Sequence, residues 1–417
     1  MEWGINFTAW PEMLAWPHLI LNGWLPYKDI AIAHNPLLIA VLALFYKVFG
    51  LGVLQLKIFT WILIFLNSYL TYFVTTKFWN KKRAIISSVL YLLLCIVYEG
   101  SGLWFDLALV PFALLLYYFV NLKKYLLAGI VFALGFFTKQ TFIYFLIPLL
   151  FSEIKNKKAL FVKTERFLTG SVIIGILFLI IMFIFGIADD YYLWAIKFGI
   201  FYLPGAEGQI LMPTLKQFIF SIAPFAILFF NSRKDYLFTL LPWILAGVAG
   251  VYPRFEFFHF QPALPFLAIA ISGFILSEKK ILIKSIVVVT FFAFLFIGLE
   301  RQIGNNTRFY EPEVVKTVEE INKNKVKEIY VINYWDNIYA LSDTLPMTRP
   351  LIPYIPWYLN YANSKEVIIN YLKLKMPLLL VVNERQNLDW LELTNFVGNF
   401  YSCNFISEKV ELCYKNK

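Results

Sequence analysis

The sequence predicts a mainly α, polytopic membrane protein of about ten transmembrane helices plus interfacial helices, ending in a small extracytoplasmic α/β domain. Three observations carry that prediction. The 417 residues are 60% hydrophobic and 19% aromatic but only 15% charged, whereas soluble domains are about one quarter charged. Long apolar segments recur from residue 56 to residue 299. Most Lys and Arg fall in alternate loops between those segments, so the formal net charge of +10 reports orientation in a membrane and not a nucleic acid partner. Three cysteines, with no CxxC and no Cys/His cluster, predict no structural metal and no disulfide framework.

The chain opens on WPEMLAWPHLILNGWLPYKDIAIAHNPLLIAVLALFYKVF, residues 10–49, which sets Glu12, His18, Asp29 and His34 among tryptophans and prolines. A carboxylate costs too much to bury unpaired in hydrocarbon, so this stretch reads as a membrane-surface loop lining something polar. Residues 36–49 are apolar but too short to span comfortably, and they carry Lys47. They suit a helix lying in the outer interface; were they to cross the bilayer, Glu12 would move to the cytoplasm. Candidate spans follow at 56–77, 84–98, 107–121, 125–137, 141–151, 167–187, 214–230, 236–251, 261–276 and 282–299. The pair 125–137 and 141–151, broken at Thr138-Lys139-Gln140, reads as two short tilted helices.

Charge then sets the sides. One set of alternate loops holds Lys77, Lys81, Lys82, Arg83, Lys123, Lys124, Lys155, Lys157, Lys158, Lys163, Arg166, Arg233, Lys234, Lys279, Lys280 and Lys284. The other holds Lys139, Lys197 and Arg254. The positive-inside rule puts the first set in the cytoplasm, which leaves residues 99–106, 189–213, 252–259, everything after 300 and the stretch around Glu12 outside. An outside start with no preceding span points to a first transmembrane helix upstream of this chain. The protein is thus expected in the cell membrane, multi-pass, among membrane lipids.

From about residue 301 the composition becomes that of a soluble α/β module. Residues 313–323 read as an amphipathic helix, 327–334 as a strand, 365–374 as a helix and 377–383 as a buried strand. YSCNFISEKVELCYK looks like a hairpin turning at Ser407-Glu408-Lys409. That register sets Cys403 opposite Cys413, close enough to bridge in an oxidising compartment, whereas in a reducing one both are ordinary strand residues. The expected divisions are 1–55, an external loop with interfacial helices; 56–300, the transmembrane helices; and 301–417, the external α/β domain.

With the loops sided, Glu12, Asp29, Glu99, Asp106, Asp189, Asp190 and Glu256 share the outer face with Lys139, Arg254 and all three histidines, His18, His34 and His259. Carboxylates beside isolated cations suit a reaction in which an anionic lipid-borne leaving group departs while a base takes the proton of an attacking hydroxyl.

These residues carry a resemblance. Glu12, Gly23, Tyr27-Lys28-Asp29, Pro36 and Phe49-Gly50 resemble the first external loop of the GT-C membrane glycosyltransferases, a superfamily that includes the polyprenyl-phosphate-mannose protein mannosyltransferases of glycosyltransferase family 39 and the aminoarabinose transferases of lipid A. GFFTKQTFIYFLIP, residues 135–148, is similar to the family's Gly-x-x-x-Lys segment, and YPRFEFFHFQPALPFLA, residues 252–268, to its late Arg-x-x-x-x-His loop. The likeness covers residues 10–300, and a C-terminal external module is common in the family. It implies a GT-C fold and an inverting hexosyl transfer from a polyprenyl-phosphate sugar donor to a lipid-linked glycan or protein acceptor of the cell envelope. It implies Glu12 as base, Asp29 as a second acidic candidate, and Arg254, Lys139, His259, His34 and Asp106 as donor-phosphate or substrate contacts, with neither metal nor cofactor required. The family often pairs Asp with Glu at its acidic site; here Pro11 precedes Glu12.

Each residue also has an ordinary reading. Glu12 can be a surface carboxylate, Asp29 a turn residue, Lys139 a cation snorkelling to the interface, and Asp106 a first-turn charge. His34 and His259 can be satisfied hydrogen-bonding partners, and Asp189-Asp190 resembles a nucleotide-sugar metal site on the side away from nucleotide sugars. A transporter or flippase for a lipid-linked glycan, and an inactive scaffold, are the alternatives; a transporter would gather its charges near the bilayer midplane, not at one set of helix ends.

Overall fold

A computed structural model of the chain describes residues 6–151, 157–230, 234–277, 281–304 and 308–416. Lys155, Arg233, Lys279 and Lys280 of the orientation argument lie outside the described residues, as do the side chains of Lys157, Lys158 and Lys234. The chain divides into two compact units. Met1–Thr8, Ile58–Ile181 and Ile210–Asn305 form the first; Ala9–Lys57, Met182–Gln209 and Asn306–Lys417 form the second.

Helices stand where the apolar runs place them: Val53–Phe78, Lys81–Val97, Phe105–Asn121, Tyr125–Thr138, Lys157–Ile184, Lys234–Ala249 and Ile281–Glu300. Three predicted spans are not uniform. Residues 141–151 become a 3-10 turn Gln140–Phe145 followed by Leu146–Phe151; 214–230 become Leu215–Ile222 followed by a 3-10 stretch Ala223–Phe230; and 261–276 become a 3-10 stretch Phe257–Ala263 leading into Leu264–Ser277. Three described helical segments, Val53–Phe78, Lys163–Ile184 and Phe257–Leu276, are long and apolar enough to cross a membrane. The first two leave most of their side chains uncovered, among them Ile62, Phe65, Ile176, Ile180 and Phe183, as lipid-facing surfaces do.

Helix packing in the first unit uses small residues and interhelical hydrogen bonds. Gly129 lies against the Phe167 backbone and Gly170 against the Leu126 backbone, leaving no room for a Cβ at either position. Ser171 Oγ donates to Gly129 O at 3.0 Å, Ser87 and Ser272 hydroxyls meet at 2.7 Å, and Asn67 Nδ2 donates to Leu107 O at 3.2 Å. The buried Arg83 donates to Ile269 O at 2.8 Å and lies over the Trp79 ring.

The second unit contains the helices Glu12–Leu21 and Leu37–Phe49 and a five-stranded sheet. Its strands are β1 (Glu328–Ile332), β2 (Leu345–Pro346), β3 (Leu379–Asn383), β4 (Tyr401–Phe405) and β5 (Val410–Lys415), in the order β2-β1-β3-β5-β4. β1 pairs in parallel with β2 and β3; β5 is antiparallel to both β3 and β4. β1 and β3 are buried over Ile329–Ile332 and Leu379–Val382, the run of apolar residues a strand covered on both faces requires. The helices Pro312–Asn324 and Ser364–Lys375 and the hairpin match the sequence reading, whereas Leu391–Phe400 and the five-residue helix Asn337–Leu341 carry too weak a pattern to be read from it. Cys403 and Cys413 are registered opposite each other and form a disulfide.

Candidate active site

Three of the sequence-predicted residues converge in the first unit. Asp106 opens the helix Phe105–Asn121, where a negative charge meets the positive end of the helix dipole. Lys139 sits in extended backbone at the end of Tyr125–Thr138, and His259 lies in the 3-10 stretch Phe257–Ala263. Lys139 Nζ is 2.6 Å from Asp106 Oδ2, and His259 Nδ1 is 2.9 Å from the same oxygen and 3.3 Å from Lys139 Nζ. The Asp106 and Lys139 side chains are 1% and 5% exposed. A charge that deep must be paired, and this arrangement pairs it. Arg254 stands five residues before His259 with its Nε donating to Glu256 Oε1 at 2.5 Å, while the Glu256 carbonyl accepts from the His259 backbone amide at 3.1 Å. Unlike Lys139, the Arg254 side chain is 27% exposed.

The other predicted residues belong to the second unit. Asp29 Oδ2 accepts from the Leu25 amide at 2.9 Å, which closes the turn around Tyr27, and lies 3.8 Å from Arg349 Nη1. Its backbone pairs with Leu351, the amide of which donates to Asp29 O at 2.8 Å. The His34 carbonyl accepts from the Tyr27 hydroxyl at 2.9 Å. Both residues thereby organise the loop leading into Leu37–Phe49, and neither lines the pocket described next. His18 is buried, its Nε2 donating to Thr344 O at 3.0 Å; burial holds its pKa below the usual histidine range, as a structural imidazole requires. Asp189 is exposed and Asp190 is half-buried, with Lys28 near it.

Glu12 has different surroundings. It is the first residue of the helix Glu12–Leu21, which packs against Asn337–Leu341, and it lines an open pocket of about 420 Å³. Trp10, Tyr334, Trp335 and Tyr354 give this pocket aromatic walls, and Asp336, Glu311, Glu313, Glu384 and Lys409 are its other titratable groups. The floor is built by the sheet: Asn333 to Asp336 follow β1, and Asn383 and Glu384 end β3, so the pocket lies at the carboxyl ends of two parallel strands. Asn333 and Asn383 clip these ends together, each side-chain amide donating to the other's carbonyl, at 3.2 and 3.0 Å.

Within the pocket, Glu12 Oε2 is buried and has no hydrogen-bond partner among the described residues. Burial raises the Glu12 carboxyl above the usual range, against the opposing pulls of its own backbone amide and the Arg308 guanidinium. That guanidinium is held 4.0 Å over the Trp10 ring, with Nη1 donating to Ala9 O at 3.4 Å. Asp336 stands at the start of Asn337–Leu341; burial first, and then the charge of Glu12, push it up to about 8. A buried carboxylate with a free lone pair and raised basicity, facing solvent through an aromatic-walled pocket, has the properties of a general base. Sequence reasoning named Glu12 as a candidate and did not name Asp336, which the structure places in the same pocket; the available signal was the loop after β1, since polar site residues collect at the carboxyl ends of parallel strands.

Among the described residues, the one grouping of His, Cys, Asp and Glu with metal-like spacing is Cys403, Glu411 and Cys413, in which the two sulfurs are bonded to each other and Glu411 pairs with Arg385 at 3.3 Å.

Residues 33–186 match the family model described as dolichyl-phosphate-mannose-protein mannosyltransferase. No curated protein is detectably similar to the chain by sequence. Among solved structures, ArnT from Cupriavidus metallidurans in its apo state is similar over 98% of this chain and 94% of its own, at 10% identity and a TM-score of 0.65. The same protein bound to undecaprenyl phosphate gives 0.61 over the same shares of the two chains, again at 10% identity. The Archaeoglobus fulgidus oligosaccharyltransferase, tethered to an acceptor peptide containing an NVT sequon, is similar over 99% of this chain and 70% of its own, at 12% identity and a TM-score of 0.50.

Proposed function

We infer from the GT-C glycosyltransferase fold that this chain carries along nearly its whole length that it is a membrane glycosyltransferase using a polyprenyl-phosphate-linked sugar on the extracytoplasmic face. The observation that carries the reading is Glu12, a buried and hydrogen-bond-hungry carboxylate on an open aromatic pocket, at the position where the family resemblance expects a base. Undecaprenyl phosphate in the ArnT neighbour and an acceptor peptide in the oligosaccharyltransferase neighbour support the substrate classes, a lipid-phosphate donor and a peptide or glycan acceptor.

In this mechanism Glu12 takes the proton of an acceptor hydroxyl, whose oxygen attacks the anomeric carbon from the face opposite the phosphate. The bond from that carbon to the phosphate oxygen breaks, its electron pair leaves with the lipid phosphate, and the sugar inverts. Arg254 is the candidate phosphate contact, since its guanidinium fork suits two phosphate oxygens. Lys139 and His259 serve less directly, because Asp106 already engages both. Native mass spectrometry of the detergent-extracted protein tests the reading. Wild type should carry a co-purifying polyprenyl-phosphate sugar, Arg254→Ala should lose it, and Glu12→Gln should retain it without transferring the sugar. A protein that carries no such lipid, or carries it regardless of Arg254, refutes the donor assignment.

A further inference from the structure

The pocket beside Glu12 holds a second carboxylate that the transfer reaction leaves without a task. We propose that Asp336 is a positioning residue for Glu12: the two form a carboxyl pair holding one proton at neutral pH, and Asp336 carries it, so that Glu12 remains the anion. The role of Glu12 as base rests on the glycosyltransferase reading; the pairing rests on the pocket the two carboxyls share and on the burial and charges around them.

Glu12 and Asp336 stand at the starts of two helices that pack against each other, and both line the same pocket. Two carboxylates facing one poorly solvated space cannot both ionise cheaply, so one keeps a proton. Which one is decided by the neighbours. Burial favours the acid at both; at Glu12 its own backbone amide and the Arg308 guanidinium, fixed over Trp10 and tied to Ala9 O, oppose it, whereas at Asp336 the Glu12 charge adds to it. The remaining groups around the pair do not reverse this order. Glu311 and Glu313 ahead of Pro312–Asn324 and within it, and Glu384 after β3, add negative charge at the rim; Lys409 next to β5 opposes it but is ion-paired with Glu384 at 2.9 Å. Tyr330, Tyr334, Tyr339, Tyr354 and Tyr358 are phenols that burial pushes upward, so they stay neutral across the working range.

The test is an infrared titration of the purified full-length protein from about pH 5 to about pH 9, reading the protonated-carboxyl stretch in wild type, Asp336→Asn and Glu12→Gln. Wild type should keep one protonated carboxyl through neutrality and lose it near pH 8. Asp336→Asn should lack that band. Glu12→Gln should retain it with a midpoint lower by about one pH unit or more, because the neighbouring charge is gone. A band that persists in Asp336→Asn, or a midpoint that Glu12→Gln leaves in place, overturns the pair. This readout needs no substrate, so it stands or falls separately from the transferase reading. Where transfer is measurable, Asp336→Asn should lose the step that the wild type shows in the pH–rate profile near pH 8. A step that persists unchanged in a folded Asp336→Asn protein would overturn the role assigned to Asp336.

Discussion

Replacing Asp106 by Asn tests whether Lys139 is held as structure or kept free for a ligand. The substitution preserves shape and an acceptor oxygen but removes the charge that sits 2.6 Å from Lys139 Nζ and 2.9 Å from His259 Nδ1. Lys139 has a side chain only 5% exposed, so it would be left as an uncompensated cation. Removing one member of a buried ion pair costs about 3–5 kcal/mol, whereas replacing both members with neutral groups of similar volume is close to neutral. For a unit of about two hundred residues, each kcal/mol shifts the midpoint by roughly 2–4 °C, so Asp106→Asn should melt about 6–20 °C lower. Adding Lys139→Met should restore much of that loss, giving a coupling well outside additivity. The assay is thermal unfolding of detergent-solubilised protein followed by size-exclusion recovery, at one heating rate because unfolding of such proteins is commonly irreversible. If Asp106→Asn melts within about 2 °C of wild type, or the double variant is additive, the ion pair does not hold this unit together and Lys139 returns as a phosphate ligand.

Gly129→Val places side-chain atoms where the Phe167 backbone already lies, so the helices Tyr125–Thr138 and Lys157–Ile184 must separate. Overpacking of this kind costs about 1–3 kcal/mol and should appear as a lower midpoint in the same melt, with Gly175→Val, where a Cβ meets open space, as the neutral control. Sidedness can be read from Asn360→Cys, an exposed position in the second unit. A membrane-impermeant thiol reagent should label it in intact cells, and labelling only after permeabilisation would move the C-terminal module, and Glu12 with it, out of the proposed compartment.

The sequence by itself determined the mainly helical class, the places of the apolar helices, the α/β character of the C-terminal module and the hairpin that faces Cys403 with Cys413. These are local properties: hydropathy over a helix length, alternation along a strand and turn chemistry involve residues close together in the chain, and lipid or core burial imposes them directly. It also marked Glu12, Asp106, Lys139, Arg254 and His259 as unusual, since charged residues beside apolar runs are costly wherever they end up. Their partners were not legible. Asp106 reads as a substrate contact or a first-turn charge and Lys139 as a phosphate ligand or a snorkelling cation; only packing of Phe105–Asn121, Tyr125–Thr138 and Phe257–Ala263 makes them an ion pair. Asp336 lies far along the chain from Glu12, in a loop whose sequence, YWDN, gives no periodic signal. It reaches the Glu12 pocket because β1 runs parallel to β3 and delivers its following loop to the same sheet end. Which charges neutralise each other, and which carboxylate is left to act, depends on distances of a few ångströms between segments remote in sequence, and only the tertiary structure sets those.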